Sequence, residues 1–353
     1  MPAAARLSAD PRAAGVRYPD PLVTASVYAD RQLDAVLLGG VVPWWTAVAA
    51  EVEARGGYLW TVRYSRRGDH LKLRLHAPPE LEARLRATAG AAIAPCLAAL
   101  PALDGARRIR TDVPAIDAED EGDDAQPDRT LVWTRYRRSQ VSLGAEPWLD
   151  DDRYAACETA VLGAGFGLLA AAVREVAGGE IPHRVRQSTL LKAVITGLAA
   201  LGLGARARDY LAYHRDWLLR FFVGDPGREA EFLARLDQRV AATPATVEGL
   251  RAVAAANWSP ADGHGDEAAD HVAWRAAAAR LAAYVGGFRD RPQYLTDPFA
   301  DDPLFPAAFK ALHGTANQLG LPPTEEAFVH HLLWHAGGAG RSAPAARAEA
   351  VAP

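Results

Sequence analysis

Residues 58–76 read YLWTVRYSRRGDHLKLRLH, two runs of alternating polar and apolar positions joined by Ser65-Arg66-Arg67-Gly68-Asp69. A period of two around a turn-forming cluster predicts a β-hairpin. A strand is expected before it, at Leu22 to Tyr28, then a helix through Asp34 to Glu53 with Trp44 and Trp45 as core aromatics. Pro78-Pro79 opens a helix over Glu80 to Leu100, because proline costs nothing at a position whose N–H has no helical partner. ARRIRTDV and RTLVWTRY also alternate and predict a second hairpin at 105–138. Its tip, DVPAIDAEDEGDDAQPD, is too acidic and too poor in apolar residues to order. From Asp151 the pattern turns helical, with helices expected at Tyr154 to Val176, Ser188 to Leu201, Ala205 to Val223, Arg228 to Ala242, Val247 to Ala256, Ala268 to Tyr284, Pro303 to Leu319 and Thr324 to Ala336. The fold class these elements predict is α+β, a mostly antiparallel sheet covered by helices.

Composition changes this picture little. The chain has 353 residues, 50% hydrophobic and 23% charged, as in an ordinary globular protein. No run of about 18 apolar residues and no secretory signal stands out, so a cytoplasmic protein without membrane attachment is expected. Cys96 and Cys157 lie far apart with no CxxC, which argues against a disulfide scaffold or a cysteine zinc site. A net charge of −4 gives no reason to expect nucleic acid.

Candidate chemistry sits first on the hairpin. With Leu71, Leu73 and Leu75 facing a core, Lys72, Arg74 and His76 line the opposite face. Two readings stand: an anion site, or a solvated edge kept positive against aggregation. Arg107, Arg108 and Arg110 flank the acidic tip on one side and Arg135, Arg137 and Arg138 on the other. They serve either to attract an acidic partner or only to balance their own tip. GAGFG, residues 163–167, lacks a preceding strand and a following GK[ST], so its glycines fit close helix packing rather than a phosphate loop. His331 and His335 have the i, i+4 spacing of a two-histidine metal site beside His330, but the glutamate of HExxH is missing. His264 and His271 lack a third ligand in sequence, and no GxSxG exists for a serine hydrolase. Asp150, Asp151 and Asp152 fit a helix start, as do Thr324-Glu325-Glu326.

The tryptophan-containing strand, the turn, His70-Leu71-Lys72-Leu73-Arg74 and the late LHGTANQL (312–319) together resemble the C-terminal domain of class I lantibiotic dehydratases, also found as free-standing thiopeptide-type bacteriocin biosynthesis proteins. The resemblance covers roughly residues 20–337. It implies one domain there, between disordered ends at 1–19 and 338–353, with the fold of the glutamate-elimination domain. It also implies action on a ribosomally made peptide carrying dehydrated serines, and no metal or other cofactor.

Two chemistries occur in that family. In glutamate elimination a middle motif runs Tyr-x-Pro-Glu-x-x-Arg-Tyr-Gly-Gly. Here the matching stretch is Tyr136-Arg137-Arg138-Ser139-Gln140-Val141-Ser142-Leu143-Gly144-Ala145, with serines at the glutamate and arginine positions. The family's late Asn-Arg-Leu is Asn317-Gln318-Leu319. Serine cannot replace a guanidinium that clamps a carboxylate in two places. The chain therefore resembles the second group, thiopeptide pyridine synthases. These join two dehydroalanines in a formal aza-[4+2] cycloaddition, expelling water and the leader peptide. The resemblance implies Tyr136, Ser139, Ser142, His313 and Gln318 as catalytic residues, with Tyr136 alternatively a buried strand aromatic. It implies Lys72 and Arg74 as holders of peptide carbonyls or of the leaving amide, and Arg63, Arg66, Arg67, Arg107 and Arg108 as captors of an acidic leader. The expected partners are a dehydrated, thiazole-containing precursor peptide with its leader, and partner dehydratase subunits. The alternatives are a glutamyl-eliminating protein of a split dehydratase, or a non-catalytic escort that binds leaders.

Overall fold

The computed structural model describes residues 22–29, 31–64, 69–101, 129–135, 152–174, 176–258, 269–287, 300 and 302–337. Among the described residues four strands, β1 (Leu22–Tyr28), β2 (Tyr58–Tyr64), β3 (His70–His76) and β4 (Leu131–Arg135), form one sheet in the order β2-β3-β1-β4, and every pairing between them is antiparallel. The hairpin expected at 58–76 is β2 and β3, in the register Leu59↔Leu75 and Thr61↔Leu73. The early strand is β1, which inserts between β3 and β4. Of the second hairpin, β4 is the described arm. The arm at 106–113, the acidic tip and the expected disordered ends lie outside the described residues.

Alternation gives the sheet two faces. Leu59, Leu71, Leu73, Leu75, Ala25 and Val27 are buried on one. Over it lie α1 (Leu33–Val36), a π turn (Leu37–Val41), α2 (Val42–Ala54) and α3 (Pro79–Ala99). The helix expected over 34–53 is thus interrupted, and the reason is close packing. A side chain on Gly40 would stand 3.4 Å from the Ile93 backbone, and one on Gly39 would stand 3.0 Å from the Cys96 sulfur. Leu33–Ala54 has the length and hydropathy of a membrane span, against the expectation from sequence. It nevertheless carries a buried acid, Asp34, ion-paired to Arg63 and Arg186, and buries Trp44 and Trp45.

The other face meets a helical layer: α4 (Asp152–Ala172), α5 (His183–Ala200), α6 (Ala207–Phe222), α7 (Pro226–Ala241), α8 (Pro244–Trp258), α9 (Ala269–Gly286), α10 (Leu304–Leu319) and α11 (Pro323–Ala336). α5 starts five residues before the expected Ser188, because Pro182 ends the preceding extended segment and leaves His183 free to begin a turn. Two of the three α4 glycines do pack closely: Gly163 against the Tyr58 ring and Gly165 against Thr315 and Gln318 of α10. Gly167 faces no neighbour. α10 stops at Gly320, whose φ of 71° is the left-handed conformation that glycine adopts without cost. One apolar cluster runs from Trp60 through Phe166 and Leu312 to Trp274. An α+β fold is therefore what these elements build.

Candidate functional site

β3 carries the polar half of the site. His70, Lys72, Arg74 and His76 share the face turned away from the leucines, and register sets Thr24, Ser26 and Tyr28 of β1 and Tyr58, Trp60 and Tyr64 of β2 on the same side. β3 lies inside the sheet, so the solvated-edge reading of Lys72 and Arg74 fails: they are only 4% and 6% exposed. Aromatic rings fix them. Lys72 Nζ stands 4.5 Å from the centre of the Tyr64 ring, and Arg74 Nη2 donates to the Tyr64 hydroxyl at 3.3 Å. His70 stacks on Tyr64, and His76 stacks on Trp60. Cations taken out of water are costly unless negative charge or acceptors meet them.

α4 supplies such a charge. Glu158 is the one acidic or basic side chain between Tyr154 and Val173, and it is buried. Burial raises its carboxyl from 4.5 to about 6, while Lys310 of α10 and Arg74 of β3 pull the other way. Its Oε2 has no hydrogen-bond partner among the described residues. A buried carboxyl that exchanges its proton near neutrality, facing two cations, has the properties of a general acid or base. Sequence reasoning missed Glu158. Its one signal is a lone charge in the largely apolar run from Tyr154 to Ala172.

Gln318 occupies a different place from the one expected of a catalytic group. β2 is an edge strand, and α10 covers that edge. Gln318 Oε1 accepts from the Thr61 N–H at 3.2 Å, and its Nε2 donates to the Leu162 carbonyl at 3.1 Å. Asn317 brackets the next position, accepting from the Arg63 N–H at 2.7 Å and donating to the Arg63 carbonyl at 3.2 Å. Both amides thus replace the strand that an edge lacks. Arg63 is committed too. Its side chain lies on the leucine side of the sheet, where Nη2 meets Asp34 Oδ1 at 2.7 Å and Nε donates to the Gln318 carbonyl at 3.2 Å. Arg186 pairs with the other Asp34 oxygen. Arg63 is therefore a tie between layers, not an exposed captor.

His313 belongs to a second polar cluster. Glu326 is wholly buried at the start of α11, with Oε2 accepting from His313 Nδ1 at 2.8 Å and Oε1 accepting from His214 Nε2 at 2.7 Å. Tyr210 donates its hydroxyl to His214 Nδ1 at 2.7 Å. Burial pushes the Glu326 carboxyl up, but the two histidines overcome it and hold the group well below the usual range. Burial pulls His313 down, and Glu326 more than offsets this, so His313 keeps its proton above the ordinary histidine value. His330 stacks on His214 with centroids 3.6 Å apart, and burial with that neighbour takes it down to about 3. His214, Glu326 and His330 also present ligand atoms within 4.8 Å of one another. Hydrogen bonds already occupy both nitrogens of His214 and both oxygens of Glu326. The Thr324-Glu325-Glu326 acids do lie in the first turn of α11, but Glu325 binds Arg239 and Glu326 is the hub just described.

The structure thus places Arg74 near Glu158 and both Lys72 and Arg74 against Tyr64, and places His313 on α10 three residues beyond Lys310, a spacing that shares a helix face. It assigns Gln318 and Arg63 to the β2 edge. Tyr136, Ser139, Ser142, Arg66, Arg67, Arg107 and Arg108 lie outside the described residues; Tyr136 directly follows β4 in sequence.

Residues 23–336 match the family described as lantibiotic biosynthesis dehydratase C-term. Among solved structures, the chain is similar to the pyridine synthase TbtD from thiomuracin biosynthesis, with 20% identity, a TM-score of 0.61, and coverage of 90% of this chain and 97% of that one. It is also similar to TsrL, with 16% identity, a TM-score of 0.51, and coverage of 89% and 93%. The tRNA-dependent lantibiotic dehydratase MibB from Microbispora sp. 107891 matches at 17% identity and a TM-score of 0.46, over 91% of this chain and 28% of that one. At these identities the likenesses to TbtD and TsrL establish the fold alone. No curated protein matches the sequence significantly.

Proposed function

The chain belongs to the lantibiotic biosynthesis dehydratase C-term family, and on that premise we propose that it is a pyridine synthase of thiopeptide biosynthesis. Its substrate would be a ribosomal precursor peptide bearing two dehydroalanines. The amide before one dehydroalanine, as its iminol, supplies C=N and C=C as a 2-azadiene, and the other dehydroalanine supplies the alkene. Two C–C bonds, one at the iminol carbon and one at the methylene end of the azadiene, close the ring and the macrocycle together. Loss of water and then of the leader as a carboxamide leaves an aromatic pyridine.

The observation that favours this over glutamate elimination is Gln318. The position of the family's late arginine holds a neutral amide whose two ends are tied to Thr61 and Leu162. Arg63 and Arg186 nearby are tied to Asp34. Among the described residues, no guanidinium beside Gln318 is left to clamp a departing glutamate, in keeping with Ser139 and Ser142 at the middle motif.

In the proposed mechanism the buried face of β3 holds the reacting segment. Lys72 and Arg74 hold peptide carbonyls, and Arg74 steadies the Tyr64 hydroxyl that borders them. Glu158 accepts the amide proton as the iminol forms and returns a proton when water departs, for which a carboxyl near 6 is suited. Tyr136, Ser139 and Ser142 are assigned to the imine nitrogen, and His313, kept protonated by Glu326, to the leaving carboxamide. Positioning supplies most of the acceleration, because orienting two groups within one site contributes roughly 7–11 kcal/mol. Arg66, Arg67, Arg107 and Arg108 are assigned to an acidic leader, and the setting is cytoplasmic without cofactor. The test is to weigh the products from a peptide with two dehydroalanines and, in parallel, from a glutamylated peptide. A cyclised product with free leader carboxamide supports the proposal. Dehydroalanine from the glutamylated peptide means elimination, and leader binding without product means an escort.

A further inference from the structure

Away from the sheet, α7 and α11 bring together three side chains that neither helix could collect alone. His331 and His335 lie one turn apart on α11, and Asp237 of α7 reaches over both. Asp237 Oδ1 stands 2.9 Å from His331 Nε2 and 3.2 Å from His335 Nε2, and the two Nε2 atoms are 3.2 Å apart. The rings meet edge-on, at 79°, so both nitrogens point into the same space.

Hydrogen bonding alone cannot satisfy this triangle. Arg215 Nη1 donates to His331 Nδ1 at 2.9 Å, so a neutral His331 carries its proton on Nε2. His335 Nε2 must then either accept that proton and turn a lone pair on Asp237, or donate to Asp237 and turn its proton on that of His331. One edge of the triangle is repulsive in either arrangement.

A cation would satisfy all three lone pairs. Tetrahedral zinc with bonds of about 2.0–2.1 Å separates its ligands by about 3.3 Å along each edge. The observed edges of 2.9, 3.2 and 3.2 Å need only small adjustments to reach that value. The side chains of Asp237 and His335 are 60% and 34% exposed while that of His331 is 3% exposed, so an ion can enter and its fourth position opens to solvent. The third ligand that the neighbouring sequence lacks is thus supplied by the fold.

We propose that Asp237, His331 and His335 form a binding site for a divalent transition-metal ion of the zinc class, clipping α7 onto α11. α7 buries only Leu236 and Val240, and Arg239 ties it to α11 through Glu325 and the Phe328 ring, so such a clip adds to a small set of contacts. Arg215 opposes the ion. A metal on Nε2 moves the His331 proton to Nδ1, and Arg215 must withdraw to its neighbour Asp216. This inference is independent of the pyridine-synthase proposal.

Tag-free, chelator-treated protein would be titrated with zinc by calorimetry and with cobalt(II) by visible absorption. One equivalent of each should bind, cobalt with the intense visible bands of a tetrahedral site, and zinc should raise the melting temperature. Asp237→Ala and His335→Ala change exposed side chains and leave the fold intact. Each should remove the stoichiometric binding and the thermal shift. Arg215→Gln should tighten zinc about 10-fold, within the range of outer-shell effects. Failure to bind, an octahedral cobalt spectrum, or equal affinity after Asp237→Ala would overturn the proposal; the last would leave only a two-histidine contact on α11.

Discussion

Replacing Glu158 with glutamine separates what the carboxylate costs the fold from what it does. Burial raises this carboxyl from 4.5 to about 6 despite Lys310 and Arg74. A raised carboxyl pKa means the folded state holds the proton more tightly than the unfolded chain. Stability is therefore lost as pH climbs from 4.5 through about 6, and the full loss persists above it. At about 1.4 kcal/mol per pH unit, the ionised group costs about 2 kcal/mol at pH 7.5. Glutamine keeps the shape and loses the charge. Urea unfolding of both proteins at pH 4 and pH 7.5 gives a difference of differences in which every other titrating group cancels. Glu158→Gln should gain about 2 kcal/mol on the parent between the two pH values. Cyclisation by the variant should fall about 10²–10⁴-fold with leader binding kept, as for loss of an acid–base group. A stabilised but inactive variant is the signature of a group held for function. Equal pH dependence of stability in the two proteins would refute the burial argument, and full activity would remove Glu158 from the mechanism.

Other outcomes follow from the same geometry. The cyclisation rate of the parent should fall as pH drops below about 6, because Glu158 acts as a base only when ionised; a flat profile from pH 5 to 8 contradicts this. Gln318→Ala should destabilise by about 1–3 kcal/mol, leaving the Thr61 N–H and the Leu162 carbonyl unpaired, and should change stability more than chemistry. Glu326→Gln should cost about 3–5 kcal/mol above pH 6, since it breaks a buried charge pair. That cost should fade on acidification, where the parent loses the stability of its low-pKa carboxylate, as unfolding at pH 3 and pH 7 would show. Leader affinity should weaken as salt rises and again in Arg107→Ala with Arg108→Ala, which fluorescence anisotropy would measure.

Local pattern carried most of the fold. Period-two alternation located β1, β2, β3 and β4, and proline and glycine placed nearly every helix boundary within a few residues. What stayed hidden depends on contacts distant in sequence. The π turn at Leu37–Val41 answers to α3, whose approach nothing in residues 34–53 announces. Lys72 and Arg74 were legible as one face, but their burial was not, because strand order decides whether β3 is an edge or interior. Gln318 stood out by its motif, yet its bonds run to residues 61 and 162. Glu158 and Glu326 each sit in a helix that looks apolar or merely well started. Their partners, at 74, 310, 214 and 313, come from other elements.

The central claim is that this chain closes a pyridine ring. The most direct measurement is mass spectrometry of a single-turnover reaction on a leader-bearing peptide with two dehydroalanines. The core peptide should lose water and the leader, with the leader recovered as its carboxamide. A glutamylated peptide in the same buffer should keep its mass. Unchanged dehydroalanine peptide under conditions where the leader is shown to bind, or loss of glutamate from the second substrate, would contradict it.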